Sequence, residues 1–258
     1  MRVLRTGLPA GAPIIKFKGV SKAYGSKRVL DEVDLEVRGG EVLVILGGSG
    51  TGKSVSLRHM NGLERPDAGE VWVDNEEISG LPEESLVSVR KKVGMLFQSG
   101  ALFDSMTVFE NVAFALREHT NWPEERIAER VAEVLGFVNL GRDVERLLPS
   151  SLSGGMKKRV SLARTIALRP EVLLYDEPTT GLDPVTAMTI NRLIKDLNTR
   201  LGTTSVVVTH DIVSALFVAD RITFLKNARF VFSGTPDEAR SSDVPELREF
   251  LSAGESLA

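Results

Sequence analysis

The octapeptide GGSGTGKS, from Gly47 to Ser54, restricts the possible folds more than any other feature of this sequence. It follows the apolar run EVLVIL and precedes the helical pattern SVSLRHMNGL. In such a loop the glycines let backbone amides face an anion, Lys53 can reach outer phosphates, and the Ser54 hydroxyl can ligate Mg²⁺. The octapeptide therefore predicts a strand, a phosphate-binding loop and a helix that together bind a nucleoside triphosphate.

The remaining apolar runs predict an α/β fold with a parallel core sheet. VGMLF, EVLLYD and TSVVVTH are continuous, rich in β-forming residues, and each is followed by a loop or helix, as in a sheet covered on both faces. Short alternating pieces over residues 14–37 and 69–78 predict a small N-terminal antiparallel β subdomain. RITFLKNARFVFSG predicts a hairpin with Asn227 and Ala228 at its turn.

Between Gly100 and Arg169 apolar residues recur at three- and four-residue steps. We interpret residues 100–169 as a helical subdomain inserted between two strands of the sheet. The expected organisation is a flexible N-terminus over 1–13, one domain over 14–240 and a short C-terminal tail over 241–258.

Several polar residues follow buried strands, where open α/β sheets bind their ligands. Asp176 and Glu177 end EVLLYDE, His210 ends TSVVVTH, and Gln98 ends VGMLFQ. Adjacent buried carboxylates need a nearby cation, which nucleotide-bound Mg²⁺ supplies. We predict that Asp176 joins the metal shell with Ser54 and Gln98, and that Glu177, His210 and Gln98 act on the attacking water or the γ-phosphate.

Composition narrows the function further. A net charge of −3 argues against a nucleic-acid partner, and the absence of cysteine excludes disulfides and thiolate chemistry. The opening MRVLRTGLPAGAP lacks the apolar core of a signal peptide. The longest apolar runs are far shorter than the roughly 20 residues of a membrane span, so any membrane role would need a separate partner.

A second candidate phosphate cradle lies at SLSGGMKKRV, a hundred residues after the first. Ser153 is predicted to cap a helix that runs to Ala167 and stops before Pro170, so that its first amides point outward unpaired. Tyr24, in the turn between two N-terminal strands, could stack on a nucleotide base.

These motifs, in this order, resemble the ATPase domain of ATP-binding-cassette (ABC) proteins over about residues 14–234. The resemblance implies a homodimer in which LSGGM of one copy caps the ATP bound to the other, with Asp183 of GLDP at the joint. It also implies ATP and Mg²⁺ as ligands. The nucleotide-binding residues it implies are Tyr24, Gly47, Gly48, Ser49, Gly50, Thr51, Gly52, Lys53, Ser54, Ser153, Gly154, Gly155, Met156 and Asp183.

Within the family, Met156 in LSGGM, Tyr175 in LLYDEP and the segment FQSGALFDSMTVFENVAF are similar to ATPase subunits of Mla and related Mce-type phospholipid transporters. That resemblance implies two multi-spanning permease subunits, a periplasmic Mce-domain protein and a small cytoplasmic accessory protein. The expected location is the cytoplasmic face of the inner membrane, held there by the permease.

Three alternatives stay open at this point. An ATPase of a small-solute importer, such as one for amino acids, shares every catalytic residue. A soluble ABC ATPase for iron–sulphur assembly, translation or DNA repair is a different class, although translation members usually carry two cassettes and repair members a long coiled coil. A phosphate-loop kinase would leave LSGGM and His210 unexplained.

Overall fold

A computed structural model describes residues 11–255, without the side chains of residues 254 and 255. The strands are β1 Pro13–Tyr24, β2 Lys27–Arg38, β3 Val42–Leu46, β4 Ala68–Val73, β5 Glu76–Glu77, β6 Val93–Leu96, β7 Val172–Asp176, β8 Thr204–Thr209, β9 Arg221–Lys226 and β10 Arg229–Gly234. The helices are α1 Lys53–Met60, α2 Glu83–Lys92, α3 Val108–His119, α4 Glu124–Phe137, α5 Gly154–Ile166, α6 Pro184–Leu201, α7 Ile212–Val218, α8 Pro236–Arg240 and α9 Pro245–Glu255.

The core sheet has the strand order β10-β9-β3-β8-β7-β6. Every neighbouring pair is parallel except the hairpin of β9 and β10, which turns at Asn227 and Ala228 as predicted. The strands β1, β2, β4 and β5 form a separate antiparallel sheet, also as predicted. The alternating pieces of the sequence proved longer than expected, because β1 and β2 each extend over 12 residues.

Both faces of the core sheet are covered. Along β3, Val42, Val44 and Leu46 belong to one buried cluster with α3 to α7 and α9. The intervening Leu43 and Ile45 belong to a second cluster with α1, α2 and the antiparallel sheet. This sandwiching explains why β3 reads as a continuous apolar run, since side chains on both of its faces leave water.

The helical region between β6 and β7 contains α3, α4 and α5, joined by short 3₁₀ turns at Arg142–Val144 and Pro149–Ser151. A capping box starts α3: Thr107 accepts from the Glu110 amide, and the Glu110 carboxylate accepts from the Thr107 amide. Among residues 11–255, no helix is both long and apolar enough to cross a bilayer.

The two ends of the chain differ from the simple outline drawn from sequence. Residues 1–10 of the expected flexible segment lie outside the described residues, and Pro13 already belongs to β1. Residues 241–258, expected as a tail, include helix α9 packed on the core sheet. Leu247 is fully buried, and the Phe250 ring lies 5.2 Å from that of Phe224 on β9. The acidic flanks of this helix masked the three- and four-residue spacing of its apolar residues.

Candidate functional site

The first cradle, the phosphate-binding loop from Gly47 to Ser54, lies between the carboxyl end of β3 and the start of α1. Gly52 precedes α1 with a φ of 109° and gives the helix no side-chain cap, so the first amides of α1 are left for a ligand. A Cβ on Gly52 would lie 2.5 Å from the Val29 carbonyl oxygen. Both the backbone angle and the close approach therefore require glycine here.

Lys53 is buried inside this loop. Its Nζ donates to the carbonyls of Gly47 at 3.0 Å and Gly48 at 2.9 Å, and it lies 3.3 Å from Oε1 of Glu177. The ammonium is thus held over the loop by groups that an outer phosphate oxygen can replace or supplement.

Ser54 and Asp176 face each other across the same sheet edge. The Ser54 Oγ donates to Oδ1 of Asp176 at 2.7 Å. The pKa of the Asp176 carboxyl is raised, mainly by burial and also by the neighbouring Glu177, while the Ser54 hydrogen bond opposes the shift. A carboxylate and a hydroxyl this close suit a divalent cation that arrives with a triphosphate.

Glu177 connects Lys53 to His210. Its Oε2 lies 2.9 Å from His210 Nδ1 and accepts a longer bond of 3.4 Å from the His210 amide. Glu177 is buried, whereas about half of the His210 side chain is exposed. The imidazole therefore has its Nδ1 fixed by the carboxylate, and the exposed part of the ring is available to a ligand.

Gln98 lies just beyond β6 with an exposed side chain. Its main-chain carbonyl accepts a short hydrogen bond from Nζ of Lys158, a buried residue on α5. The sequence reasoning missed Lys158. Its position in the first turns of α5 could have indicated it, because the N-terminus of that helix was already predicted to face an anion.

The second candidate cradle lies at the start of α5, where the helix cap predicted at Ser153 is present. Ser153 caps the helix by accepting from the Met156 amide at 3.2 Å, and Ser153 and Gly154 are exposed. Gly155 is buried against α6, where an added Cβ would lie 2.5 Å from Cγ2 of Thr186. Only glycine lets the two helix N-termini come this close.

Asp183 caps α6 at the same place. Its Oδ1 accepts from the amides of Val185 and Thr186, both at 3.0 Å, and hydrogen bonding to Thr186 lowers the pKa of this exposed carboxyl. Asp183 and the second cradle are therefore neighbours on one surface. The glycines of the first cradle instead approach Val29 and Leu225, so the two cradles have different surroundings within one chain.

Tyr24 is the last residue of β1, and 46% of its surface is exposed. Its hydroxyl makes a short hydrogen bond to Oε1 of Glu64. Glu64 also pairs with Arg58 of α1 at 3.1 Å and with Lys22 at 3.6 Å. The sequence analysis missed Glu64, which ties the tyrosine to the helix that follows the phosphate loop.

The residues present fit a magnesium nucleotide better than a metal held by protein alone. Within the described part of the chain, no three His, Cys, Asp or Glu side chains are grouped as metal ligands. Ser54 and Asp176 supply two oxygens beside the phosphate loop. Phosphate oxygens and water can complete the octahedral shell that Mg²⁺ prefers.

This fold and site define a nucleotide-binding domain of the cassette type, and the chain belongs to the ABC transporter family of ATPases. The family model described as "ABC transporter" matches residues 30–180. ATP, with Mg²⁺, is the nucleotide that this family hydrolyses.

Curated relatives match nearly the whole chain. The probable ribonucleotide transport ATP-binding protein mkl of Mycobacterium leprae is 42% identical over 244 residues, which cover 95% of this chain and 70% of that protein. The intermembrane phospholipid transport system ATP-binding protein MlaF of Escherichia coli is 41% identical over 240 residues, covering 93% and 89%.

Solved structures agree with the fold. A dimeric ATP-binding cassette in a post-hydrolysis state, bound to ADP and phosphate, superposes with a TM-score of 0.80 at 36% identity. The match covers 86% of this chain and 98% of that one.

Proposed function

We propose that this chain is the ATP-hydrolysing subunit of a phospholipid transporter, in which two copies close around two ATP molecules and drive a separate membrane permease. The observation that carries the proposal is the pair of cradles. One chain has a complete phosphate loop and also an exposed helix N-terminus, at Ser153 and Gly154, with different neighbours. A two-fold dimer gives each bound triphosphate one cradle from each copy.

Within such a dimer, the phosphate loop from Gly47 to Ser54 wraps the phosphates, and Tyr24 stacks on the adenine. Ser153, Gly154, Gly155 and Met156 of the second copy approach the γ-phosphate. The N-terminus of α5 contributes about half a positive charge there, which favours the anion. Asp183 and its helix cap lie beside this cradle and would meet the opposite copy at the joint.

Glu177 is the proposed general base, since its carboxylate is buried next to Lys53 and held by His210. It accepts a proton from the attacking water, while the exposed part of His210 orients the water or the γ-phosphate. Ser54, Asp176 and Gln98 would hold Mg²⁺ directly or through water. When bound, the metal offsets charge that develops on the phosphate oxygens.

A groove of about 600 Å³ offers the permease a docking place. It is lined by Phe97, next to Gln98, and by Phe103 and Phe114, whose rings lie 5.0 Å apart. Arg164 of α5 lies over the Phe103 ring at 5.7 Å. An amphipathic helix of a membrane subunit would bury these exposed aromatic faces. Its position would then depend on that of Gln98, which is adjacent to Phe97.

The similarity to MlaF supports phospholipid as the cargo. On this proposal the chain works at the cytoplasmic face of the inner membrane with two permease subunits, a periplasmic Mce-domain protein and a small cytoplasmic accessory protein. A second candidate is an ATPase for a small solute, which is favoured by the similarity to the protein named for ribonucleotide transport.

Two measurements test the proposal. The purified Glu177→Gln variant should shift from monomer to dimer with Mg-ATP but not with Mg-ADP, as followed by light scattering. Affinity purification from native membranes in detergent should recover a multi-spanning permease and an Mce-domain protein. Recovery of a solute-binding protein would favour the second candidate. Exclusively soluble partners, or a chain that stays monomeric with ATP and its permease, would refute transport by this mechanism.

A further inference from the structure

Three side chains of α5 are hydrogen-bonded to the segment that carries Gln98. Lys158 donates to the carbonyl of Gln98, and Thr165 reaches a carbonyl of residue 95 at 3.4 Å. Arg164 donates to the carbonyls of residues 100 and 101 at 2.9 and 2.8 Å. The helix capped by Ser153 is therefore hydrogen-bonded to the main chain on both sides of Gln98.

Lys158 lies within electrostatic reach of Asp176 and Glu177. Only 6% of its surface is exposed. Burial lowers the pKa of its ammonium, and the charges of Asp176 and Glu177 raise it. A buried ammonium is costly without partners, so the Gln98 carbonyl and the two nearby carboxylates explain how the position is tolerated.

We propose that Lys158 is a positioning residue for hydrolysis, because it links α5 to the main chain of Gln98. When the N-terminus of α5 contacts the nucleotide bound to a second copy, this link sets the position of Gln98 in the chain's own site. This inference rests on the dimer proposed above. Ser153 and Lys158 are five residues apart, which is about 7.5 Å along a helix. A helix this short moves as a rigid unit, so a shift at its first turn is passed to Lys158.

The experiment replaces the ammonium with an apolar chain of similar length, Lys158→Met, and uses the adjacent Lys157→Met as the matched control. Steady-state hydrolysis is measured over a range of Mg-ATP, with each substitution made alone and together with Gln98→Ala. Because a hydrogen bond to a charged group contributes about 1.5 kcal/mol or more, we expect kcat of Lys158→Met to fall about 10-fold. KM for ATP should stay within about 2-fold, since Lys158 does not hold the nucleotide.

The double substitution separates positioning from general destabilisation. If Lys158 acts through Gln98, then Lys158→Met causes no further loss of kcat in the Gln98→Ala background. Multiplicative losses in that background, or an unchanged kcat in Lys158→Met alone, overturn the inference. Lys158→Arg keeps a charged donor and should restore most of the kcat. If Lys158→Met does not fold, Lys158→Gln is taken through the same cycle and judged by the same two criteria.

Dimer formation distinguishes this inference from the proposed function. Glu177→Gln with the native Lys158 is tested for its ATP-driven dimer alongside the cycle. If Glu177→Gln does not dimerise with ATP, both the shared nucleotide site and the proposed role of Lys158 are refuted. If the dimer forms normally but the losses of kcat multiply in the double substitution, only the role of Lys158 is refuted.

Discussion

Replacing Glu177 by glutamine tests the proposed chemistry most directly, because the change removes basicity and charge while keeping shape. In the structure the carboxylate contacts Lys53 at 3.3 Å and His210 Nδ1 at 2.9 Å. A glutamine can present its oxygen to Lys53 and its amide to a His210 ring protonated on the other nitrogen, so the geometry of the site survives. What is lost is the proton acceptor.

General base catalysis contributes about 10²- to 10⁴-fold, so turnover of Glu177→Gln should fall by that factor, equivalent to roughly 2.7 to 5.4 kcal/mol in the barrier. ATP affinity should be equal or higher, because a negative charge beside Lys53 no longer repels the incoming phosphates. Phosphate release and nucleotide binding are measured in parallel, with the exposed Glu129→Gln of α4 as control. Turnover within about 3-fold of the native chain, at full ATP binding, would refute the assignment of Glu177 as base.

Four further outcomes follow from individual contacts. Gly155→Ala should weaken the ATP-driven dimer seen by light scattering, because its Cβ would lie 2.5 Å from Thr186; an unchanged dimer would contradict the close packing. Tyr24→Ala should raise KM for ATP several-fold and leave kcat nearly unchanged, and an unchanged KM would exclude base stacking. Leu247→Ala should cost about 2–5 kcal/mol in urea unfolding, since α9 packs on the core sheet, whereas a cost under about 1 kcal/mol would indicate a loosely attached helix. Burial lowers the pKa of His59, so the unfolded chain takes up the proton first and stability should fall as the pH drops below about 6.5; His59→Gln should flatten that dependence in urea titrations at several pH values.

The sequence was sufficient for features whose cause is local. The loop at Gly47–Ser54 needs glycine, lysine and serine at fixed positions, and the hairpin turn at Asn227 follows from local turn chemistry. The parallel core could be predicted because strands covered on both faces, such as β3, must be apolar at every position. Ser153 was predicted as a helix cap for the same local reason, and the structure confirms that cap.

Features that depend on distant partners could not be predicted. The order of strands in the sheet follows from long-range packing. Leu247 was predicted to lie in a tail, because its burial depends on a cluster whose other members, such as Phe224 on β9, are distant in the sequence. The sequence analysis did not single out Lys158 or Glu64, because nothing nearby in the sequence reveals that their hydrogen-bond partners are 60 and 40 residues away. The roles of these residues and of the predicted site residues stay predictions for the experiments above.

The backbone at Glu177 gives an independent reason to regard this residue as functional. Its φ of 46° lies in the left-handed region, which costs a residue other than glycine about 1–3 kcal/mol. The surrounding sheet imposes this conformation, since the Glu177 amide donates to the Val208 carbonyl at 3.0 Å. Glycine would relieve the strain but would supply no carboxylate to face Lys53 and His210. A strained and buried carboxylate next to a cation is therefore a position where we expect a functional role, and the Glu177→Gln experiment tests that expectation.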